Sequence, residues 1–314
     1  MPIHPSTVAE LSLALADLNA AGRKLVDLDL KGLSAVVEFT PEDMTVTVET
    51  GISLGTLQHE LALRGQWLPI DPPAPESLSL HQLLSQNLSG PRRYGYGTIR
   101  EHLIGLKVVL ADGRVIKSGG KVVKNVAGYD LAKLFIGARD SLGVIAEATF
   151  KLRPLPEDEQ FVEATVLSPT RAGEVTGKIL ESQVTPVVLD WHNQRSGSSA
   201  DSVTVVLGFA GTREEVHWQM NEARGMGFSQ SSNLDHEKSF WSQASAAAIH
   251  RISSLPSKLG DELGKLGRVS MVARAGNGLV YYRAGPVTPQ NISASMLAQR
   301  VKQSYDPKNI LPEI

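Results

Sequence analysis

The segment from Gly119 to Leu131 concentrates the residue types that could do chemistry in this chain. It combines two glycine bends, two lysines and a Tyr-Asp pair, and glycines with lysines are components of loops that cradle phosphate groups. An ordinary connection between a hairpin and a helix, with both lysines in solvent, fits the same local chemistry. In either case Asp130 is suited to cap the helix that follows, and Leu131, Leu134 and Phe135 are predicted to face a core.

Two familiar phosphate-binding motifs fail on inspection. A P-loop is ruled out because Val115 stands where its first glycine belongs and Val122 replaces its Ser or Thr. Gly95 and Gly97 begin a G-x-G-x-x-G pattern, but Arg100 breaks it and no predicted strand leads directly into it. The sequence therefore disfavours a nicotinamide-type Rossmann site.

The sequence gives little support for a metal site or for a catalytic nucleophile. The chain has no cysteine, which excludes disulfides, a thiol nucleophile and a Cys-held iron–sulfur cluster. Its eight histidines lack metal-ligand spacing, so no metal site is predicted, and no G-x-S-x-G nucleophile elbow occurs. No catalytic residue can be assigned. The polar candidates in the second half are His192, His217, Arg251 and Arg274, and a structural role is expected for each.

Local patterns predict the elements that position these residues. Thr7–Glu10 reads as the capping box of a first helix, and apolar alternation predicts strands at 26–30 and 44–48. A polar helix is predicted around residues 78–86. The Asp112-Gly113 pair between apolar runs predicts a hairpin turn.

A domain boundary is predicted at Pro154 and Pro156, which with an acidic run break the regular alternation before them. Beyond it the patterns predict strand 161–167, helix 171–182, strands 184–190 and 203–209, and helix 212–224. This order suits a ferredoxin-like sandwich. The predicted domains are 1–156 and 160–314. A C-terminal tail, with strands near 268–275 and 279–283 and a helix near 289–303, is expected to pack back on the first domain.

Composition limits the function classes further. The 314 residues include 42% hydrophobic and 20% charged residues, typical of a globular chain of about two domains. A net charge of −2 argues against a dedicated nucleic-acid binder. The N-terminal residues show no targeting signal, and no apolar run approaches a membrane span. A cytoplasmic protein is expected.

Several runs, taken together in order and spacing, resemble a known family. They are Val48–Gly51, Leu68–Pro73, Asn87–Gly95, Gly105–Gly113, Lys124–Leu131, Leu142–Ile145, Leu152–Pro154 and, at the end, Tyr305–Pro312. Through them residues 25–156 resemble the PCMH-type FAD-binding domain of the vanillyl-alcohol oxidase superfamily. Within that superfamily the likeness is greatest to the FAD-binding subunit of glycolate oxidases.

The resemblance implies a fold and a cofactor site. The fold class is α+β: a PCMH-type FAD-binding domain of two α+β subdomains, followed by a smaller α+β ferredoxin-like domain. FAD would be held non-covalently between the subdomains. Carried over by position, the cofactor-binding residues would be Pro69, Asp71, Pro72, Asn87, Ser89, Gly90, Tyr94, Gly95, Lys124, Asn125, Gly128, Tyr129, Gly143, Val144 and Ile145. The last three would offer backbone groups from a strand edge.

Three departures from the family pattern bear on that site. Residues 23–31 lack the family's G-G-G-T loop, and Ser79–Gln82 replaces a T-I-G-G turn. Asp140–Gly143 replaces a G-T-L-G sequence, which puts the Asp140 carboxylate near the expected diphosphate. Losing about three hydrogen bonds of roughly 1.5–3 kcal/mol each would cost roughly 3–6 decades of affinity. The departures therefore predict a weakened or lost FAD site.

Two functions remain open at this stage. The resemblance implies an FAD-binding subunit of a glycolate oxidase-like complex that oxidises 2-hydroxy acids, with hydride passing to the flavin. Its partners would be a paralogous flavin subunit and an iron–sulfur subunit, through which the complex could lie peripherally on a membrane. The alternative is a non-catalytic scaffold subunit of the same fold that has lost FAD.

Overall fold

The computed structural model describes residues 2–120, 131–194, 201–243, 247–283 and 296–313. The chain divides into two compact units, and each is built from three or fewer stretches of sequence. Unit 1 comprises Met1–Ser89, Thr98–Leu155 and Asn291–Ile314; unit 2 comprises Gly90–Gly97 and Pro156–Gln290. The sheets of both units are antiparallel and carry helices, so the predicted α+β class is confirmed.

Unit 1 contains six helices and seven strands among the described residues. The helices are α1 (Val8–Ala21), α2 (Leu54–Ala62), α3 (Leu80–Gln86), α5 (Ile99–His102), α6 (Ala132–Phe135) and α11 (Met296–Tyr305). The strands are β1 (Val36–Thr40), β2 (Thr45–Glu49), β3 (Gln66–Trp67), β4 (Leu103–Val109), β5 (Val115–Gly119), β6 (Val144–Lys151) and β7 (Arg153–Pro154).

A five-stranded sheet in the order β1-β2-β6-β4-β5 forms the centre of unit 1, and β3 pairs separately with β7. Apolar side chains cover both faces of β6. Val144 belongs to a core with Leu11 and Leu15 of α1, and Phe150 belongs to a second core with Leu57 of α2. The predicted hairpin is confirmed, since β4 and β5 are joined through a turn in which Gly113 has φ 82°.

The strand predicted at 26–30 is wrong. Its backbone forms one isolated parallel bridge, between Ile3 and Leu28. The N–H of Leu25, just before this stretch, bonds the Ile310 carbonyl. Val26 is 83% exposed. Residues 26–30 therefore join no β-ladder, and of their apolar side chains Val26 lies in solvent whereas Leu30 is buried.

Helix α6 is one turn long and also corrects a prediction. Phe135 is buried, but Leu131 is 45% and Leu134 38% exposed, so only one of the three predicted core residues faces a core. A single turn cannot carry a full apolar stripe, because the helix ends at Phe135. Asp130, the predicted cap, lies outside the described residues.

Of the predicted C-terminal tail, residues 291–314 belong to unit 1. The strands predicted near 268–275 and 279–283 belong to unit 2, so their expected packing on the first domain is wrong. Lys302 of α11 donates its Nζ to Asp306 Oδ2 at 2.6 Å and to the Ser141 carbonyl at 2.9 Å. Tyr305 packs edge-on against Phe135, with ring centroids 5.6 Å apart. Asp306 is 1% exposed and accepts the backbone N–H of Leu311. The tail is thus tied to unit 1 by buried polar contacts as well as by apolar packing.

Unit 2 contains five helices and seven strands among the described residues. The helices are α4 (Arg93–Tyr96), α7 (Pro169–Leu180), α8 (Arg213–Gly225), α9 (Asp235–Trp241) and α10 (Leu259–Leu266). The strands are β8 (Asp158–Val166), β9 (Val188–His192), β10 (Val203–Gly211), β11 (Gln230–Ser232), β12 (Ile249–Ser253), β13 (Ser270–Arg274) and β14 (Leu279–Arg283).

These strands form one antiparallel sheet in the order β11-β8-β10-β9-β13-β14-β12. Its core joins Trp191 of β9 and Leu207 of β10 with Ile179 of α7, Met220 of α8 and Leu263 of α10. Of the described helices in the whole chain, none is long and apolar enough to cross a membrane.

Candidate functional site

Helix α3 positions the largest share of the predicted site in unit 1. A capping box starts it: the Ser79 hydroxyl accepts the N–H of Gln82, and the Gln82 side chain accepts the N–H of Ser79. This confirms that the Ser79–Gln82 run, which departs from the family turn, is helical. Asn87 ends the helix as its C-cap.

Asn87 has two properties of a ligand-binding residue. Its backbone is left-handed, with φ 51°, a conformation that asparagine tolerates better than most residues. Its side-chain Oδ1 is buried and has no hydrogen-bond partner among the described residues. Because a buried acceptor without a partner is costly, this oxygen is suited to accept a bond from a bound molecule.

Thr50 links α3 to the first residues of β6. Its carbonyl accepts the backbone N–H of His81 at 2.7 Å, and its Oγ1 donates to the Ile145 carbonyl at 2.6 Å. The Thr50 N–H donates to the Ala146 carbonyl at 3.0 Å, and Thr50 is fully buried. Thr50 therefore connects Ile145 to α3, the helix that ends at Asn87. The sequence analysis assigned Asn87 and Ile145 to one site.

The strand edge predicted at Gly143, Val144 and Ile145 is not free at Ile145. Strand β6 lies between β2 and β4, and the Ile145 carbonyl is already bonded to Thr50. Val144 and Ile145 pair with Val109 and Val108 of β4, and both side chains are buried. At Gly143 a Cβ would come within 2.8 Å of Val108 Cγ1, so close strand packing accounts for this glycine.

The segment around Pro69 is held by α2. Gln58 of α2 donates its Nε2 to the Leu68 carbonyl at 2.5 Å and accepts the Leu68 N–H at 3.1 Å. Pro69 and Pro72 are buried, and Asp71 is half-buried. Prolines on either side of Asp71 restrict the backbone there, which gives this segment a fixed path through unit 1.

A second chain segment, which we name the 137–141 loop, runs alongside α3. The N–H groups of Gly137 and Arg139 donate to the carbonyls of Leu84 and Ser85 of α3, each at 2.9 Å. His81 Nε2 lies 2.9 Å from Asp140 Oδ1. Asp140, the residue expected to face a phosphate unfavourably, is thus paired with a side chain of the helix that replaces the family's turn.

The remaining predicted residues divide into three groups. Gly90, Tyr94 and Gly95 belong to unit 2, where the Gly95 N–H donates to the Val187 carbonyl at 3.0 Å and burial raises the pKa of Tyr94. Ser89 is buried in unit 1. Lys124, Asn125, Gly128 and Tyr129 lie outside the described residues.

Unit 2 contains a buried cluster of charges. Arg274 of β13 bonds Asp190 Oδ2 at 2.6 Å and both carboxylate oxygens of Glu237 at 2.6 and 2.7 Å. His236 approaches Asp190 at 3.5 Å and stacks on His192, with ring centroids 4.4 Å apart. The ligand atoms of Asp190, His236 and Glu237 lie within 4.8 Å of one another, as in metal sites, but Arg274 already pairs both carboxylates.

Electrostatics in this cluster follow from burial and pairing. Burial alone would raise the pKa of Glu237, but the charge of Arg274 and its hydrogen bonds outweigh that effect and hold the pKa below its usual range. Two of the four polar candidates from the sequence, His192 and Arg274, therefore belong to a buried structural network. The other two, His217 and Arg251, are exposed on α8 and β12.

Sequence reasoning missed the residues that connect the site. Thr50 lies in a run that carried the family resemblance, but its hydroxyl bond to Ile145 spans 95 positions of sequence. Gln58 carried no signal, because a glutamine on an amphipathic helix is typical of an exposed face. His81 was visible only as part of a departure from the family pattern.

The residues present fit FAD in part. The unpartnered Asn87 oxygen fits a ligand that brings hydrogen-bond donors, and the N–H of a flavin ring and the hydroxyls of its ribityl chain are such donors. A bare carboxylate at Asp140 would not fit a diphosphate, but the bond from His81 occupies one of its oxygens. The site in unit 1 is therefore compatible with this cofactor.

Comparison with known proteins finds a similar family over part of the chain. A family model described as "FAD binding domain" matches residues 17–119. The match agrees with the predicted resemblance to FAD-binding proteins, and residues 17–119 include α2, α3, Thr50 and Asn87.

Proteins to which this chain is similar are named as oxidases and dehydrogenases. The chain is 33% identical to glycolate oxidase subunit GlcD of Bacillus subtilis over 52% of its length, and 35% identical to glycolate oxidase subunit GlcE of Escherichia coli over 41%. It is 36% identical to a probable mitochondrial D-lactate dehydrogenase of Danio rerio over 51%. The matches span 35%, 37% and 32% of these relatives, about a third of each.

Solved structures confirm the fold over nearly the whole chain. An alkyldihydroxyacetonephosphate synthase superimposes with a TM-score of 0.75, at 14% sequence identity, covering 98% of this chain and 75% of that one. A second crystal form of an alkyldihydroxyacetonephosphate synthase gives a TM-score of 0.73. The predicted PCMH-type architecture therefore extends beyond the part of the chain that the family model matches.

Proposed function

We propose that this chain is the FAD-binding subunit of a glycolate oxidase-like complex that oxidises a 2-hydroxy acid. The FAD binding domain and the names of the relatives support the reaction class. The observation that carries the assignment to unit 1 is the buried, unpartnered oxygen of Asn87 at the end of α3. FAD, when bound, would supply the hydride-accepting chemistry of a flavin.

Within this proposal the residues of the chain bind FAD and orient it. The Asn87 side chain accepts a hydrogen bond from the ligand, and Ser89 follows it along the same backbone. The segment with Pro69, Asp71 and Pro72 forms a fixed wall, because Gln58 and the prolines restrict it. Gly143, Val144 and Ile145 contribute to the site through packing, because the Ile145 carbonyl already accepts a hydrogen bond from the Thr50 hydroxyl. Lys124, Asn125, Gly128 and Tyr129 are proposed on the resemblance alone, as are Gly90, Tyr94 and Gly95 of unit 2.

The absence of cysteine bears on the proposed partners. A chain without cysteine cannot hold a Cys-ligated iron–sulfur cluster, so electron transfer from the flavin through such a cluster would use a second protein. A paralogous flavin subunit and an iron–sulfur subunit fit that requirement. The proposed location is the cytoplasm, with contact to a membrane made through these partners.

A scaffold that has lost FAD is the second candidate, and two observations favour it. Helix α3 stands where the family has a glycine turn, and residues 23–31 lack the glycine-rich loop. Such a subunit would keep the fold and hold the complex together without a cofactor.

Titration with FAD separates the two candidates. The purified full chain is incubated with excess FAD, desalted, and examined for the visible absorption of bound flavin; binding is also measured by quenching of flavin fluorescence. The proposal expects retained or titratable FAD, and reduction of the bound flavin by glycolate or D-lactate once the partner subunits are added. A chain that stays colourless and gives no titration is the scaffold.

A further inference from the structure

His81 and Asp140 are the two places where the chain leaves its family's pattern near Asn87, and they contact each other. His81 stands in the run that replaces the glycine turn, and Asp140 in the run that replaces a G-T-L-G sequence. Their Nε2 and Oδ1 atoms lie 2.9 Å apart, with the two side chains 11% and 17% exposed. In the part of the chain that the structure describes, His81 is the one side chain paired with the Asp140 carboxylate. The two departures therefore form one local unit.

The backbone of the 137–141 loop needs outside support. Gly137, Arg139 and Asp140 have φ values of 80°, 51° and 62°, so two consecutive non-glycine residues are left-handed. Such conformations persist only where the surroundings determine them. Helix α3 supplies that support through its carbonyls at Leu84 and Ser85 and through the side chain of His81.

The other end of the loop is anchored as well. The Ser141 carbonyl accepts a bond from Lys302 Nζ at 2.9 Å, and the Ser141 hydroxyl donates to the Ala138 carbonyl at 2.6 Å. His81 itself is fixed through its backbone N–H, which bonds Thr50. The backbone that carries Asp140 is therefore held on both sides.

We propose that His81 is a positioning residue for FAD: its imidazole N–H holds the Asp140 carboxylate, so that the 137–141 loop can lie beside the cofactor's diphosphate. This inference rests on the proposed function. Without His81, the Asp140 carboxylate would lose the hydrogen bond that holds it against α3 and could turn toward the two negative charges of the diphosphate, where like charges repel. His81, in the run that replaces the glycine turn, thus offsets the unfavourable effect of the Asp140 carboxylate on diphosphate binding.

A double-mutant cycle on the full chain tests this inference. His81→Phe keeps a ring of similar volume and removes the N–H donor; Asp140→Asn removes the charge, and asparagine tolerates the left-handed backbone. Each variant, and the pair, is titrated with FAD and with riboflavin, which lacks the diphosphate. His59→Phe, an exposed histidine on α2, is the matched control.

We expect the substitution at His81 to weaken the binding of FAD, which carries the diphosphate, more than the binding of riboflavin. His81→Phe weakens FAD binding at least about tenfold and riboflavin binding less than about threefold, and the double variant regains FAD affinity to within about threefold of the parent. Asp140→Asn alone leaves FAD affinity equal or higher, and it tests the inference even if His81→Phe does not fold. His59→Phe changes neither ligand.

Three results would overturn the inference while leaving the proposed function in place: FAD affinity unchanged in His81→Phe, an equal loss for riboflavin, or no recovery in the double variant. A weakening of FAD binding by more than about threefold in Asp140→Asn would do the same, because it would make the carboxylate a favourable contact. A parent chain that binds neither ligand would overturn the proposed function, and this inference with it.

Discussion

Glu237 shows how one buried ion pair contributes to stability at the scale of a single residue. Its carboxylate bonds Arg274 through both oxygens, and its folded-state pKa is lowered although burial opposes ionisation. A group with a depressed folded pKa stabilises the fold above its unfolded pKa, which is about 4.3 for glutamate. That contribution disappears as pH falls through the folded pKa, so the pair matters at neutral pH and fades in acid.

The change Glu237→Gln is therefore expected to destabilise the protein by about 3 kcal/mol at neutral pH, since it leaves Arg274 with one carboxylate. The difference from the parent should shrink as pH falls below about 4.3, the usual pKa of glutamate, and through the lowered folded-state pKa of Glu237. Urea unfolding across that pH range measures it. Glu222→Gln, an exposed change on α8, is the control and should cost almost nothing. A difference that stays constant with pH would contradict the assignment.

Asn87 allows backbone and ligand effects to be separated at the residue scale. Asn87→Gly keeps the left-handed conformation at no steric cost, so stability should be unchanged or slightly higher. The lost amide should weaken FAD binding roughly tenfold, the equivalent of about one hydrogen bond. Titration with FAD and thermal unfolding give the two values.

The control for that change is Asn309→Gly. Asn309 is also left-handed, with φ 53°, and is exposed in the tail of unit 1. It should leave FAD affinity unaltered. Equal losses in both variants would point to a general effect of the substitution, and Asn87 would then have no special part in the site.

At the scale of elements, α3 is short, so its stability depends on its ends. The Ser79–Gln82 capping box satisfies donors at the start of a seven-residue helix that also carries His81 and Asn87. Ser79→Ala should cost about 1 kcal/mol in the free energy of unfolding. Urea denaturation measures it, with Gln86→Ala at the exposed end of the same helix as the comparison. A cost for Ser79→Ala no larger than for Gln86→Ala would show that the cap is dispensable.

Elements with a complete local signal could be predicted from the sequence. Strand β2, helix α3 and the hairpin at Asp112-Gly113 each carry their own periodicity or turn residues, and all three are observed. The stretch 26–30 has equally good alternation. It fails as a strand because its backbone contacts Ile3 through an isolated bridge and joins no sheet, so a tertiary contact that no local pattern reveals decides its conformation.

The candidate site was predictable only as far as family resemblance reached. Asn87 was assigned from its position in a run of family residues, and its burial and unpartnered oxygen agree with a binding role. The contact between His81 and Asp140 could not be foreseen, because 59 positions separate the two residues. Pairwise contacts of this range depend on the fold.

At the scale of the whole molecule, Lys302 joins distant parts of the sequence. Its ammonium group is buried and bonds Ser141, Asp306 and Leu311. Lys302→Met should destabilise unit 1 by about 3 kcal/mol, because it leaves Asp306 buried without its cation. Amide hydrogen exchange followed by mass spectrometry should show faster exchange in peptides from β6 and α1, with peptides of unit 2 as an internal reference. Arg300→Met, exposed on the same helix, should leave exchange unchanged; equal effects would contradict the role of Lys302.

Unit 1 is assembled from three stretches of sequence, the last of which follows unit 2. During synthesis on the ribosome, residues 156–290 emerge before the tail that supplies Ile310 and Leu311 to the core around α1. Unit 2 can therefore become compact co-translationally while unit 1 still lacks residues 291–314. Nascent chains arrested before residue 296 should consequently depend more on chaperones than the released protein does.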